Sequence, residues 1–176
     1  GYSMGGAIAT AYAAQNHESI RQVILLAPSG VMSKQSPFTR FCRSVPLLGQ
    51  WVHGMFAEGR IKKSIPKHGD TRAVDKVLRA QRRELNRRGY LPGLLSSRKG
   101  ILSETQEREH RQLGRQGIPV FAVWAEHDAV IPLRAIGLLA EWNRAARQEV
   151  VPKAAHDMPY MNSNKVIAAL RDAMHH

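Results

Sequence analysis

Apolar residues fall along this chain in two unlike ways, as short unbroken runs towards both ends and as a looser three-to-four-residue rhythm between them. Near the start, Ala7 to Ala14 is a small, apolar, helix-forming stretch that predicts a helix to about Asn16. Gln22-Val23-Ile24-Leu25-Leu26-Ala27 follows as a strand, closed by Pro28-Ser29-Gly30. The run Ile118-Pro119-Val120-Phe121-Ala122-Val123-Trp124-Ala125 is of strand length and lacks alternation, which suits a strand buried on both faces of a parallel sheet. A shorter β-prone segment, Gln148 to Val151, comes later, and Ala129-Val130-Ile131-Pro132 leads into a helix in between, with Pro132 suited to its first turn.

The middle has a different character. From about Val31 to Gln116 there is no convincing strand, only segments punctuated by Pro and Gly. Phe38, Phe41, Val45, Leu48, Trp51, Val52, Met55 and Phe56 recur at helical spacing, with Pro46 and Gly49 interrupting them, so two short helices or one kinked helix are expected. A second helix starts at Asp70 or Thr71, carries the apolar stripe Val74, Val77, Leu78 and Leu85, and stops at Gly89. Helices and buried strands in this order predict an α/β fold.

Composition narrows the class. At 176 residues and 43% hydrophobic, the chain is globular and long enough to bury a core. Cys42 is the single cysteine, which rules out an intrachain disulfide and agrees with a reducing, cytoplasmic compartment. No stretch stays apolar for the roughly 18 residues that a membrane span needs.

The formal charge of +12 and a pI near 10.6 raise nucleic-acid binding as a rival reading, because lysines and arginines cluster between Arg60 and Lys99. That cluster lacks interleaved aromatics for base stacking, zinc-ligand spacing and any groove-binding motif, so nucleic acid is not the expected partner. Arg82, Arg83, Arg87 and Arg88 lie in the last turns of the second middle helix, where cations complement the helix dipole without any ligand. The basic segment reads as a solvated face that leaves open an anionic substrate or peripheral contact with an anionic membrane. Two S-x-x-K tetrapeptides, Ser64 to Lys67 and Ser96 to Lys99, lack the companion motifs of serine-lysine chemistry.

Candidate chemistry sits at residue 3. Gly1-Tyr2-Ser3-Met4-Gly5 is a G-x-S-x-G pentapeptide opening directly into the Ala7 helix. A nucleophilic serine must stand clear on a sharp strand-to-helix turn, with Gly1 and Gly5 where side chains would collide with backbone, and with the Met4 N–H aimed at the developing oxyanion. Such a serine needs a carboxylate and then a histidine, in that chain order. Asp128 follows the Ile118–Ala125 run, and His156 follows the Gln148–Val151 segment, so both stand beyond strand ends where sites of open α/β sheets form. Glu126 is the alternative acid. His17, His53, His68, His110 and His127 do not follow strand signals in the required order and stay unassigned, as do His175 and His176 at the end.

These motifs resemble the serine members of the α/β-hydrolase family: GYSMGG is similar to its nucleophile elbow, WAEHDAVIP to the acid loop after its seventh strand, and AAHDMP to the histidine loop after its eighth. The resemblance runs from the elbow to the terminal helix. It implies a partial α/β-hydrolase fold, with the elbow helix, the last three sheet strands and a helical cap inserted after the sixth strand. Residues 1–30 would be elbow helix and strand, 31–116 the cap, and 117–176 the C-terminal part of the core. Ser3 would be the nucleophile, Asp128 the acid, His156 the base and Met4 an oxyanion donor, without metal or organic cofactor.

The substrate implied is a small, apolar ester or acyl compound, as for a carboxylesterase or monoacylglycerol lipase. C–C or amide hydrolysis, acyl transfer and a non-catalytic binding remnant are the alternatives. In that family several strands precede the elbow and a second oxyanion donor comes from a loop after the third strand. The sequence therefore reads as the C-terminal part of a longer protein, with an elbow that has no strand to hold it.

Overall fold

Three short strands pair in parallel to organise the described part of the molecule, a computed structural model that describes residues 1–32, 59, 61–63, 65–69 and 71–174. Strand β1 is Val23–Leu26, β2 is Val120–Ala125 and β3 is Arg147–Val151, in the spatial order β1-β2-β3. Val23 pairs with Val120 and Leu26 with Val123, while Phe121 pairs with Arg147 and Ala125 with Val151. β1 and β2 are each two residues shorter than their apolar runs, whereas β3 begins one residue earlier than its β-prone segment, at Arg147.

All six residues of β2 are buried, which is the physical content of its missing alternation. Val120, Ala122 and Trp124 face one core, with Val23, Leu25, Leu113, Leu139 and Trp142. Phe121, Val123 and Ala125 face the other, with Val151, Met158 and Val166. The first core is covered by α1 (Met4–Gln15), α4 (Glu107–Arg115) and α5 (Ala135–Trp142). The second is covered by the short α6 (Met158–Met161) and by α7 (Ser163–Met174). Strand β3 keeps Arg147, Glu149 and Val150 exposed, as an edge strand does.

The chain divides into two compact units, residues 1–34 with 104–176 and residues 35–103. Helix α4 lies within the 31–116 segment and packs on α1 in the first unit, where the Gln106 amide donates 2.7 Å to the Ala7 carbonyl and Gln112 donates 2.8 Å to that of Ala14. Within the second unit, α2 (Arg72–Leu85) buries Val74, Leu78 and Leu85 but leaves Val77 exposed. Thr71 caps it by accepting from Val74 N–H, and Asp75 accepts 2.8 Å from Gly69 N–H. Gly89 does not stop α2, which ends at Leu85 with Asn86 as its C-terminal cap. Gly89, at φ 88°, instead precedes α3 (Tyr90–Lys99), a helix the apolar spacing did not announce. The Phe38–Phe56 stretch lies outside the described residues, as do Ser64 and the terminal histidine pair.

Two local expectations are corrected. Pro132 is not in the first turn of α5: it precedes the helix, and its carbonyl accepts 2.9 Å from Ala135 N–H. The elbow is not unsupported either, because β1 holds it. Leu26 N–H donates 2.8 Å to the Gly1 carbonyl, Ser3 N–H donates 3.0 Å to that of Leu26, and the Gly1 amine donates 2.7 Å to that of Ile24. Among the described residues no helix is long and apolar enough to cross a membrane.

Candidate active site

Ser3 has left-handed backbone, φ 50° and ψ −120°, between its pairing with β1 and the first residue of α1. A non-glycine residue rarely adopts φ above zero, and such strain gathers where a side chain must be presented at a fixed angle. The strain is over-determined by bonding: the Ser3 carbonyl accepts from Gly6 at 2.9 Å and from Ser29 at 3.0 Å, while its own N–H is held by Leu26. Gly1 is required, since a Cβ there would collide with the Gly5 carbonyl oxygen. Gly5 is not required sterically, because a Cβ at that position meets nothing within 4 Å. The close approach falls to Gly6 instead, whose Cβ would stand 2.7 Å from the Pro28 Cβ.

Asp128 follows β2 and is turned inward by its own loop. Its Oδ1 accepts from Val130 N–H at 2.7 Å and from Ile131 N–H at 2.8 Å, which leaves Oδ2 directed at Nδ1 of His156, 2.8 Å away. The carboxylate is 1% exposed and the imidazole 22%. An ionised carboxylate only accepts, so Nδ1 carries the proton, and Nε2 is left as the acceptor for the Ser3 hydroxyl at 2.9 Å. The structure thus brings Ser3, His156 and Asp128 into one hydrogen-bonded chain.

Glu126, the alternative acid, faces elsewhere. Its Oε2 accepts 2.7 Å from Lys153 N–H, fixing that residue at φ 57°, and lies 3.8 Å from Nε2 of His127. Glu126 N–H donates 3.2 Å to Val151 and His127 N–H donates 2.8 Å to Ala154. The acid loop and the histidine loop are therefore stitched together by backbone as well as by the Asp128–His156 pair. Met4 is the first residue of α1, where a backbone N–H has no acceptor within the helix and points along the positive end of its dipole.

Among the described residues of the first unit, none of His17, His110 and His127 is hydrogen-bonded to Ser3, Asp128 or His156. His110 is buried on α4 beside Trp142, with ring centroids 6.3 Å apart, and its Nδ1 has no hydrogen-bond partner among the described residues. Burial pushes its pKa down to about 4. His53 lies outside the described residues. Among the described residues no three His, Cys, Asp or Glu side chains gather as a set that could hold a metal ion.

One neighbour of the site went unread in the sequence. The Tyr2 hydroxyl donates 2.8 Å to the His156 carbonyl, and its ring stands 5.3 Å from the imidazole. Its sole signal was its place as the variable residue before the serine, which carries no information about where the phenol points.

The α/β-hydrolase fold model matches residues 1–162. Similar solved structures include an esterase from Exiguobacterium antarcticum, 15% identical with a TM-score of 0.73, over 100% of this chain and 65% of that one. A 2-hydroxy-6-oxo-6-phenylhexa-2,4-dienoate hydrolase from a Rhodococcus strain is 16% identical with a TM-score of 0.72, over 100% and 63%. A thermophilic esterase from Thermogutta terrifontis is 19% identical with a TM-score of 0.69, over 99% and 63%. The chain thus spans 63–65% of the length of these three structures. No curated protein matches it in sequence.

Proposed function

We propose that this chain, which belongs to the α/β-hydrolase family, carries the nucleophile, base and acid of a serine hydrolase that cleaves carboxylic esters. The observation that carries the reading is the Ser3–His156–Asp128 chain, with contacts of 2.9 and 2.8 Å. Ser3 Oγ attacks the ester carbonyl as His156 Nε2 takes its proton. Asp128 holds the imidazole in the tautomer with Nδ1 protonated and stabilises the positive charge that develops. The carbonyl oxygen, now negative, lies at the start of α1, where the Met4 N–H and the helix dipole favour it. His156 then gives its proton to the leaving alkoxide, an acyl-serine remains, and water activated by the same imidazole releases the acid.

An ester is favoured over the alternatives because an alkoxide leaving group asks least of the Ser3, His156 and Asp128 set. The similarities at 15–19% identity support the fold, and two of the three similar structures are esterases, so esters come first among the substrates to be screened. The test is labelling of the intact protein with a fluorophosphonate probe, followed by turnover of p-nitrophenyl esters of increasing acyl length. Labelling that Ser3→Ala abolishes, with ester turnover lost by several orders of magnitude, is the expected result. Labelling that survives Ser3→Ala would remove the nucleophile assignment. Labelling without turnover of any ester would move the reading to C–C or amide cleavage.

A further inference from the structure

We infer that Tyr2, the residue immediately before the nucleophile, is a positioning residue for the base, because its hydroxyl ties the elbow directly to the backbone carbonyl of His156. The inference rests on the reading of Ser3, His156 and Asp128 as nucleophile, base and acid. His156 lies in a turn, outside any helix or strand, so its imidazole is only as well placed as its loop. On the side of the acid the loop is anchored through Glu126 and His127, which bond Lys153 and Ala154. On the side of the serine the anchor is the phenol of Tyr2.

That anchor is rigid at its base. Tyr2 pairs with Leu26 alongside β1, and the hydrogen bonds of Gly1 and Ser3 to Leu26 fix its backbone from both sides. Its ring is wedged between the imidazole, at 5.3 Å, and the edge of Tyr160, at 6.5 Å. Burial first, then Tyr160 and the charges of Asp157 and Asp128, raise the phenol pKa well above its ordinary value, so the hydroxyl stays a donor at every pH at which the triad works. The same residue therefore sets where Ser3 begins and where His156 sits, and it holds their 2.9 Å contact in register. A displacement of about 1 Å in such a contact costs on the order of 100-fold in rate, so a partial loss of register costs on the order of tenfold.

Tyr2→Phe keeps the ring and removes the hydroxyl. In the intact protein, with an activated p-nitrophenyl ester, it is expected to lower kcat on the order of tenfold while KM stays within about twofold. The decisive comparison is a double-mutant cycle with His156→Ala. A residue that acts through His156 has nothing left to position there, so Tyr2→Phe with His156→Ala should match the residual rate of His156→Ala by itself. Wild-type kcat in Tyr2→Phe would overturn the inference, and so would a further tenfold loss on top of His156→Ala, which would mark general damage to the fold. Failure of the Tyr2 effect leaves the triad standing. A His156→Ala protein as active as the parent would instead take down the base assignment, and the role of Tyr2 with it.

Discussion

At Asp128 one carboxylate performs two separable tasks: Oδ1 closes its own loop on Val130 and Ile131, and Oδ2 orients His156. Asp128→Asn can keep the first task through its amide oxygen, but it presents an N–H where the imidazole needs an acceptor. Turnover of p-nitrophenyl esters is expected to fall about 10⁴-fold, with the melting temperature little changed. Glu126→Gln keeps an oxygen for Lys153 N–H and should stay within a few-fold of the parent. Loss of activity in the Glu126 variant alone would reverse the two roles. From the sequence both acids were available, since they stand two residues apart just past the same strand. What separates them is the direction of the amides of Val130 and Ile131, which point into the loop and pull only Asp128 inward.

At the scale of elements, the elbow shows why a motif and its steric reason are different things. The pentapeptide names Gly1 and Gly5, yet the backbone needs Gly1 and Gly6, because α1 lies so close to the turn after β1 that Gly6 meets Pro28. Gly6→Ala is therefore expected to lower stability by about 1–3 kcal/mol in urea unfolding, as overpacking does. Gly5→Ala meets open space on a helix and should be neutral or stabilise by up to about 1 kcal/mol, through helix propensity. Equal effects at the two positions would mean that the packing of α1 on the Pro28 turn is looser than described. Pattern alone cannot rank adjacent glycines, since the partner that crowds Gly6 is distant in the chain. The same limit explains α3: its sequence, Tyr90–Lys99, has no clean apolar stripe and includes Pro92 and Gly93, so no helix was legible there.

For the molecule as a whole, the helical layer over the first core carries a titratable group where none is expected. His110 is buried on α4, and burial holds its pKa at about 4, below the ordinary 6.5. The unfolded chain therefore binds a proton at higher pH than the folded one does. Stability from this group is complete above about pH 6.5, falls as pH drops towards 4 and levels off below that, at a total of about 3 kcal/mol. His110→Phe should flatten that part of the profile when urea unfolding of the intact protein is compared at pH 7, 5.5 and 4.5. A parallel loss in both proteins would place the acid sensitivity elsewhere. The sequence by itself determined a good deal here: parallel strands at the unbroken apolar runs, a serine on a strand-to-helix turn, and an acid and a histidine past later strand ends in the order such a site needs. Those features are local, fixed by side-chain chemistry and by spacing along a single segment. Only the tertiary structure decided which acid faces the imidazole, which glycine is crowded, that α4 joins the core of α1, and that Tyr2 reaches the His156 carbonyl 154 positions along the chain. Each of these is a contact between segments far apart in sequence, set by how the helices and loops pack around β2, and no short-range pattern encodes it.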